Sequence, residues 1–449
     1  MHMKFETLGD WKRTAYVSQI TPEMDGRVVI VMGWVRAIRK VGKLTFIQLS
    51  DRSGDLQILL SPELVDPEVI KKFEILQRES TIAVKGTVRA NKTAPRGFEI
   101  IPIEMKILTI ADTPLPLEVV EKKTPAELPT RLNARCIDLR KANVAAIFKI
   151  KAKLLSKIRE FLEDEGFIEI HTPKIMGEKS EGGADVFQVK YFDRDAYLSQ
   201  SPQFYKQMMM SACFDRVYEI GPAFRAEPSK TTRHVAEILM LDIEMSFINS
   251  VEDVMETIER MFVYALERVK DSCPHELAIL KKDIAVPSRP FPRITVVEAK
   301  KILANYGLKY KEDEEIDHAG EAALGKYVKE KYKSDVFFLT DFPWAEAKFY
   351  HMQNEKNPKV ANRCDLIYKG VEIATIAQRE HRYDILVKQA KERGVSLDKI
   401  KFYLDAFKYG MPPHGGAGIG IDRIVQLMLD LPTVQEAILF PRTIERLVP

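Results

Sequence analysis

The sequence predicts an α+β protein of two domains: a short all-β barrel, a proline-rich hinge, and a larger domain built on an antiparallel sheet flanked by helices. Three observations predict it. Residues 1–110 hold five strand-like runs separated by Gly-containing turns. Residues 113–131 carry four prolines. From residue 143 onward helical and strand periodicities alternate, with hairpin turns and long connections mixed, which fits an antiparallel sheet better than a doubly wound parallel one. The chain has 449 residues, about three times a typical domain length, so more than one core is expected. The domain limits read as 1–110, a hinge over 111–140, and 141–449.

The five runs are 27–35 (RVVIVMGWV), 43–49 (KLTFIQL), 56–60 (LQILL), 81–88 (TIAVKGTV) and 97–108, with a helix-like piece at 67–77. Five short strands with a helix ahead of the fourth is the pattern of an OB-fold, a barrel whose open face commonly binds single-stranded nucleic acid. Other small barrels match the same pattern. This stretch holds 17 Lys+Arg against 13 Asp+Glu, although the whole chain is only +3. A modest basic excess of this kind suits a polyanionic partner. The hinge follows, with Pro114, Pro116, Pro125 and Pro129 around a charged middle at 118–123.

In the second domain Ile147, Ile150, Leu154, Ile158, Phe161 and Leu162 fall on one face of a helix over 143–165, and Gly166 ends it. Pro173 closes 166–173 (GFIEIHTP); lacking an N–H, it places that strand at an edge or an interface. In 200–207 (QSPQFYKQ), Pro202 suits a first helical turn, so Gln203 and Lys206 share a face able to grip a carboxylate; a solvated helix face is the plainer alternative. Two arginines, a lysine and a histidine crowd the loop within 224–234 (FRAEPSKTTRH), which points to a bound polyphosphate. On the next strand Ile238, Met240, Asp242 and Glu244 share one face, and Leu239, Leu241, Ile243 and Met245 the core face. Asp242 is then placed to hold an ammonium group, with Glu244 orienting its neighbours.

A hairpin turn at Lys369-Gly370 in 365–372 (DLIYKGVE) sets Ile367 opposite Glu372 and Asp365 diagonal to it on the same face. Carboxylates so close call for a cation, and Mg²⁺ held by one or two carboxylates and by substrate phosphates is the usual solution. Finally 413–423 (PHGGAGIGIDR) brings glycine backbone close to a ligand, with Arg423 at the start of a helix, where it meets a phosphate or stacks on a base. Neither a dinucleotide fingerprint nor a Walker A lysine motif is present.

Composition narrows the class. Hydrophobic residues make up 45% and charged residues 30%, an ordinary soluble balance, and no run reaches the roughly 20 apolar residues of a membrane span. The first residues lack the basic-then-apolar order of an export signal, which points to the cytoplasm. Cys136, Cys213, Cys273 and Cys364 are far apart, against a zinc site or a disulfide scaffold.

In this order the segments resemble the three signature motifs of class II aminoacyl-tRNA synthetases: the long helix with 166–173, then 224–244, then 416–423. An OB-like domain ahead of them narrows the resemblance to the aspartyl, asparaginyl and lysyl subgroup. Residues 200–207, 241–245 (LDIEM), 440–442 (FPR) and the ending 447–449 (LVP) look aspartyl, of the archaeal/eukaryotic type. The resemblance implies activation of L-aspartate with ATP and Mg²⁺, transfer to the 3′-terminal adenosine of tRNA(Asp), with tRNA(Asn) left open as a second acceptor, and a homodimer formed through the first motif. It implies Arg225 and Arg423 as catalytic residues, and Arg225, Glu227, Arg233, His234, Glu237, Glu372, Gly420 and Arg423 around ATP. Glu181, Gln203, Lys206, Asp242, Thr375 and Arg379 would surround aspartate, with Lys206 and Arg379 on its β-carboxylate. Asp365, Glu372 and Thr375 would hold Mg²⁺. On the barrel Phe46 would stack an anticodon base and Gln57 read its edge, with Arg36 and Glu99 nearby. Two departures stand out: Ile238 replaces an aromatic that stacks on adenine, and Ile376-Ala377 replaces Gly-Gly, where larger side chains would narrow the amino-acid pocket. An asparaginyl or asparagine-forming relative, and a non-catalytic nucleic-acid-binding paralogue, are the alternatives.

Overall fold

A computed structural model describes residues 5–120, 125–178, 186–226, 235–312 and 314–449. Its contacts divide the chain into Met1–Lys141 and Ala142–Pro449. In the first unit, strands β1 (Val28–Val41), β2 (Leu44–Asp51), β3 (Gly54–Leu60), β4 (Thr81–Ala90) and β5 (Phe98–Thr109) close into a barrel in the order β1-β2-β3-β5-β4. Alternation along the strands decides what fills it. Ile47, Leu49, Leu56 and Ile58 point inward to join Val31, Val84 and Ile100 in one core, while Gln48, facing Gln57 across the ladder, points out. Asp66 caps the helix Pro67–Glu74 by accepting from the Glu68 N–H. The expected hinge is not a bare linker: short helices at Leu128–Asn133 and Arg135–Asp138 occupy part of it. Asp138 is fully buried and pairs with Arg131, Arg135 and Lys141.

In the second unit an eight-stranded sheet runs β12 (Arg293–Thr295), β13 (Val336–Thr340), β14 (Arg363–Tyr368), β15 (Val371–Arg379), β16 (His414–Gly420), β11 (Glu237–Ser246), β10 (Arg216–Phe224) and β6 (Ile168–Glu169). Only its two terminal pairings, β12 with β13 and β6 with β10, are parallel. A separate small sheet joins β7 (Ile175–Met176), β9 (Arg194–Leu198) and β8 (Gln188–Tyr191). The helix Ala142–Asp164 buries the six apolar residues read from the sequence. Gly166, at φ +79°, ends it in a left-handed turn in which the Phe167 N–H reaches the Leu162 carbonyl. That helix and Val251–Ser272 cover one face of the central sheet, forming a core with Leu241, Ile243, Ile376 and Ala417. On the opposite face the helices Val296–Asn305 and His318–Tyr332 pack against Phe337, Leu339 and Ile367, and the site lies beside them on the same face. Among the described residues no helix is long and apolar enough to cross a membrane.

Candidate active site

On that opposite face lies a cavity of about 620 Å³. Its floor is sheet: Ile238, Met240 and Asp242 from β11, Gly418 and Gly420 from β16, Glu372, Ile373, Thr375 and Arg379 from β15, and Arg363 from β14. Gln200, Ser201 and Gln203 form one wall; Lys348, Tyr350 and His351 from the loop after β13 form another; Thr443, Ile444 and Leu447 reach in from the C-terminal segment.

Four charges lie together at one end. The Arg379 Nε donates to Glu244 Oε1 at 3.0 Å, and its Nη2 reaches Oε2 at 3.4 Å. The Lys206 ammonium lies 2.9 Å from Asp242 Oδ1 and 3.5 Å from Glu244 Oε2, and also donates to the Ala417 carbonyl at 2.9 Å. All four side chains are at most 4% exposed. Burial pushes the Glu244 carboxyl up, but the Arg379 and Lys206 cations outweigh it and hold Glu244 below its ordinary value. Arg379 and Asp242 line the cavity, whereas Lys206 lies beneath the floor with its ammonium turned to Asp242, Glu244 and backbone carbonyls. Gln203 lines the wall and donates to Gln207, which contacts His414 at 3.0 Å. Burial lowers His414 to about 4, so its imidazole is neutral near pH 7. Two glycines of β16 are needed for space: a Cβ on Gly416 would sit 2.1 Å from both Glu244 Oε2 and the Ile243 carbonyl oxygen, and one on Gly415 2.9 Å from the Ala377 carbonyl oxygen.

An acidic wall stands on β14 and β15. Ile367 faces Glu372 as the hairpin pattern requires, but the ladder then slips by one residue, and Leu366 faces Ala374. Ile373 is the extra residue of a bulge. The expected diagonal placement of Asp365 beside Glu372 is therefore corrected, because Asp365 faces Thr375 directly. The bulge also brings Glu372 and Thr375, three apart, to one side, where the Thr375 hydroxyl donates to Glu372 Oε1 at 2.9 Å. Arg423 Nη1 donates to the Glu372 carbonyl at 3.0 Å and lies 3.8 Å from its Oε2. Burial, and secondarily the Glu372 charge, push the Asp365 carboxyl up, against the pull of Arg363. Oxygen donors of this kind suit a hard divalent cation. Among the described residues no three His, Cys, Asp or Glu side chains gather as a metal site, so such an ion would need phosphate oxygens as further ligands.

Arg225, Gly420 and Arg423 line the same cavity. Glu237 is exposed at the start of β11 and does not. Glu181, Glu227, Arg233 and His234 lie outside the described residues. Ile238 lines the cavity, whereas Ile376 is fully buried in the helix-side core and Ala377 is buried without reaching the lining. The expected narrowing of the pocket by these two residues is not found, because β15 turns the larger one to the other face. Reasoning from sequence missed Arg363, Lys348, Tyr350 and His351. The long connection that carries the last three has no motif; what ties it to the site is the backbone pairing of 350–352 with 378–380, including the bridge between His351 and Arg379, and the Arg379 guanidinium lying over the Tyr350 ring.

On the barrel, half-buried Phe46 sits two positions along β2 from Gln48, the partner of Gln57, so Phe46 and Gln57 share the outer face. The Gln57 amide donates to Glu99 at 2.9 Å, and Arg89 and Asn91 also donate to that carboxylate. Burial pushes Glu99 up, but these donors more than compensate and hold it low. Arg36 falls at a register slip of β1 and is spent internally, on Glu79 at 2.6 Å and on Ser50 and the Arg140 carbonyl.

Comparison with known proteins finds two family matches along the chain. Residues 29–108 match the OB-fold nucleic acid binding domain, and residues 127–444 match the tRNA synthetases class II (D, K and N). The chain is 46% identical over 437 residues to an aspartate–tRNA(Asp) ligase of Pyrococcus abyssi, covering 97% of this chain and all of that one. It is 45% identical over 442 residues to an aspartate–tRNA(Asp/Asn) ligase of Methanococcus aeolicus, covering 98% and 99%. Among solved structures, asparaginyl-tRNA synthetase from Pyrococcus horikoshii complexed with asparaginyl-adenylate superposes with a TM-score of 0.90 at 31% identity, over 98% of this chain and 100% of that one.

Proposed function

The chain belongs to the class II tRNA synthetases of the D, K and N group, and from that premise we propose how this cavity performs the ligation of aspartate to tRNA. The protein is an aspartate–tRNA ligase: it joins aspartate to ATP as aspartyl-adenylate, releasing pyrophosphate, and passes the aspartyl group to the 3′-terminal adenosine of the tRNA. Curated relatives of near-equal similarity are named for tRNA(Asp) alone and for tRNA(Asp/Asn), so the acceptor includes tRNA(Asp), with tRNA(Asn) as the second candidate.

The observation that carries the aspartate reading is the charged end of the cavity. Asp242 on the floor offers an acceptor for the substrate's ammonium group, and Arg379, held in place by Glu244, offers a guanidinium to the β-carboxylate. Lys206 supports both from below by fixing Asp242 and Glu244. Asparagine has no charge to match Arg379. Gln203 belongs to the same wall, and Glu181 is placed with this group by the resemblance.

No protein nucleophile is needed, since the aspartate α-carboxylate attacks the α-phosphorus and pyrophosphate leaves. The residues position the reactants and stabilise charge. Arg225 and Arg423 face that phosphate, with Gly420 giving the nucleotide room; Glu227, Arg233, His234 and Glu237 belong to the ATP side by the resemblance. Mg²⁺ fits the acidic wall, Glu372 foremost with Thr375 and Asp365 beside it, and when bound it would neutralise phosphate charge. The barrel face with Phe46, Gln57 and Glu99 is the anticodon side, and the long first helix of the second unit is the surface for a homodimer.

Pyrophosphate exchange into ATP, run separately with aspartate, asparagine and lysine, tests the reading. Exchange with aspartate alone is the expected result; exchange with asparagine instead, or with none of the three, would overturn it. Charging of purified tRNA(Asp) and tRNA(Asn) then separates the two acceptors.

A further inference from the structure

The resemblance implies two carboxylates for Mg²⁺, but the acidic wall already contains a cation. Arg363, two residues before Asp365 on β14, lines the cavity and sends Nη2 to Asp365 Oδ2 at 3.0 Å and to Oδ1 at 3.4 Å. Its guanidinium lies over the Phe342 ring, 4.2 Å from the centroid, and Phe342 is itself buried. Opposite Arg363 in the ladder is Ala377, whose methyl leaves the guanidinium room. The Arg363 Nε is buried without a hydrogen-bond partner, which carries a desolvation cost. Such a cost is sustained where stacking and the ion pair fix the side chain.

We propose that Arg363 is a resident counter-cation for Asp365, so that the acidic wall offers one carboxylate, Glu372, to a divalent ion. The inference rests on the site being the nucleotide site proposed above. Its basis is geometric: an Asp365 engaged by a stacked guanidinium has fewer lone pairs for a metal, and a divalent ion brought to it would meet a fixed positive charge. Glu372 is in the reverse situation. Among the described residues its carboxylate accepts a side-chain hydrogen bond from Thr375 at Oε1, its one ion-pair partner is Arg423 at 3.8 Å from Oε2, and Arg363 acts on it at longer range without a hydrogen bond. On this account Asp365 is a positioning residue that keeps Arg363 turned to the cavity, and Glu372 is the metal-facing group.

The test is Mn²⁺ binding to the full chain loaded with one equivalent of a non-hydrolysable ATP analogue, which supplies the phosphate oxygens, followed by the loss of the free-ion electron paramagnetic resonance signal with binding to the analogue alone subtracted, and with thermal melting as a folding control. Asp365→Asn is expected to leave the Mn²⁺ affinity within about threefold of the unaltered chain, whereas Glu372→Gln should weaken it by at least the roughly tenfold that loss of even an outer-shell partner costs. Arg363→Met, which keeps the contact with Phe342, is expected to tighten Mn²⁺ by about tenfold or more, and adding Asp365→Asn to it should abolish that gain. Arg363→Lys, which keeps the charge, should behave as the unaltered chain. A tenfold loss in Asp365→Asn alone overturns the inference, as does an unchanged affinity in Arg363→Met. If Arg363→Met does not fold, the Asp365→Asn arm still decides. Aspartate-dependent pyrophosphate exchange by the unaltered chain is read separately, so a failure of this inference is distinguishable from a failure of the functional reading.

Discussion

Arg379 holds two positions at once, since it neutralises the fully buried Glu244 and faces the cavity, and the two roles separate in a double-variant cycle. Arg379→Met leaves Glu244 with Lys206 alone, 3.5 Å away. Breaking a buried pair by removing one partner costs about 3–5 kcal/mol because the remaining charge is uncompensated. With Lys206 still near, the lower end applies, about 3 kcal/mol. At about 2 °C per kcal/mol for a unit this large, the calorimetric transition of the catalytic unit should fall by about 6 °C. Arg379→Met/Glu244→Gln removes the orphaned charge and should regain more than half of that loss. Activity should not follow stability. Losing the guanidinium that meets the β-carboxylate should lower kcat/KM for aspartate in pyrophosphate exchange by about two to three orders of magnitude, the scale of a buried charge contact, in the single and the double variant alike. The reasoning fails if the double variant melts no higher than the single one, or if aspartate kcat/KM in Arg379→Met falls by less than about tenfold.

Other predictions follow from the same geometry. Ile376→Ala should cost about 2–5 kcal/mol of stability, as buried Ile truncations do, while leaving KM for aspartate within about twofold; a KM several-fold lower would show that Ile376 does narrow the pocket. His414 is buried and neutral, its pKa lowered to about 4, while in the unfolded chain it titrates near 6.5. The folded state therefore binds its proton less readily, and stability present above about pH 6.5 should be lost as pH falls toward 4, by about 3 kcal/mol at most. His414→Asn should flatten that part of a melting-temperature profile between pH 7.5 and 5. Gly416→Ala should prevent normal folding of the second unit, read by circular dichroism, because a methyl group there collides with both Glu244 and the Ile243 backbone. Phe46→Ala should raise KM for tRNA by about tenfold, the scale of one lost base stack, without changing aspartate-dependent pyrophosphate exchange.

What the sequence disclosed depended on how local its determinants are. The barrel strands and the long helix could be read because alternation, period and turn residues mark them within a few positions, and the helix ending at Gly166 needed only one residue to identify. The motifs on β11, β15 and β16 were legible for the same reason. Cross-strand events were not: the bulge at Ile373 leaves no trace in DLIYKGVEIAT, since a regular hairpin satisfies the same residues. Which face Ile376 takes depends on that bulge, whereas its expected place beside the pocket came from the resemblance, which gives a position in the motif but not the face its side chain takes. Lys206 shows another limit. Its spacing from Gln203 was right, but its choice of Asp242, Glu244 and backbone oxygens over the cavity is set by β11 and β16, far away in sequence. Arg363 escaped notice because an arginine before Cys364 belongs to no motif; its place in the cavity lining, its pairing with Asp365 and its buried, partnerless Nε appear only in three dimensions.

The single inserted residue at Ile373 sets the parity of everything beyond it on β15. Up to the insertion the chamber side takes the even number 372; past it, the odd numbers 375 and 379. Shortening the chain by one residue there would send the Thr375 hydroxyl and the Arg379 guanidinium into the hydrocarbon interior and expose Ala374 and Ile376 to the ligand. Substitutions along this edge can therefore be absorbed one at a time, whereas a one-codon deletion would turn the strand inside out, so the length of this segment is constrained more tightly than its composition.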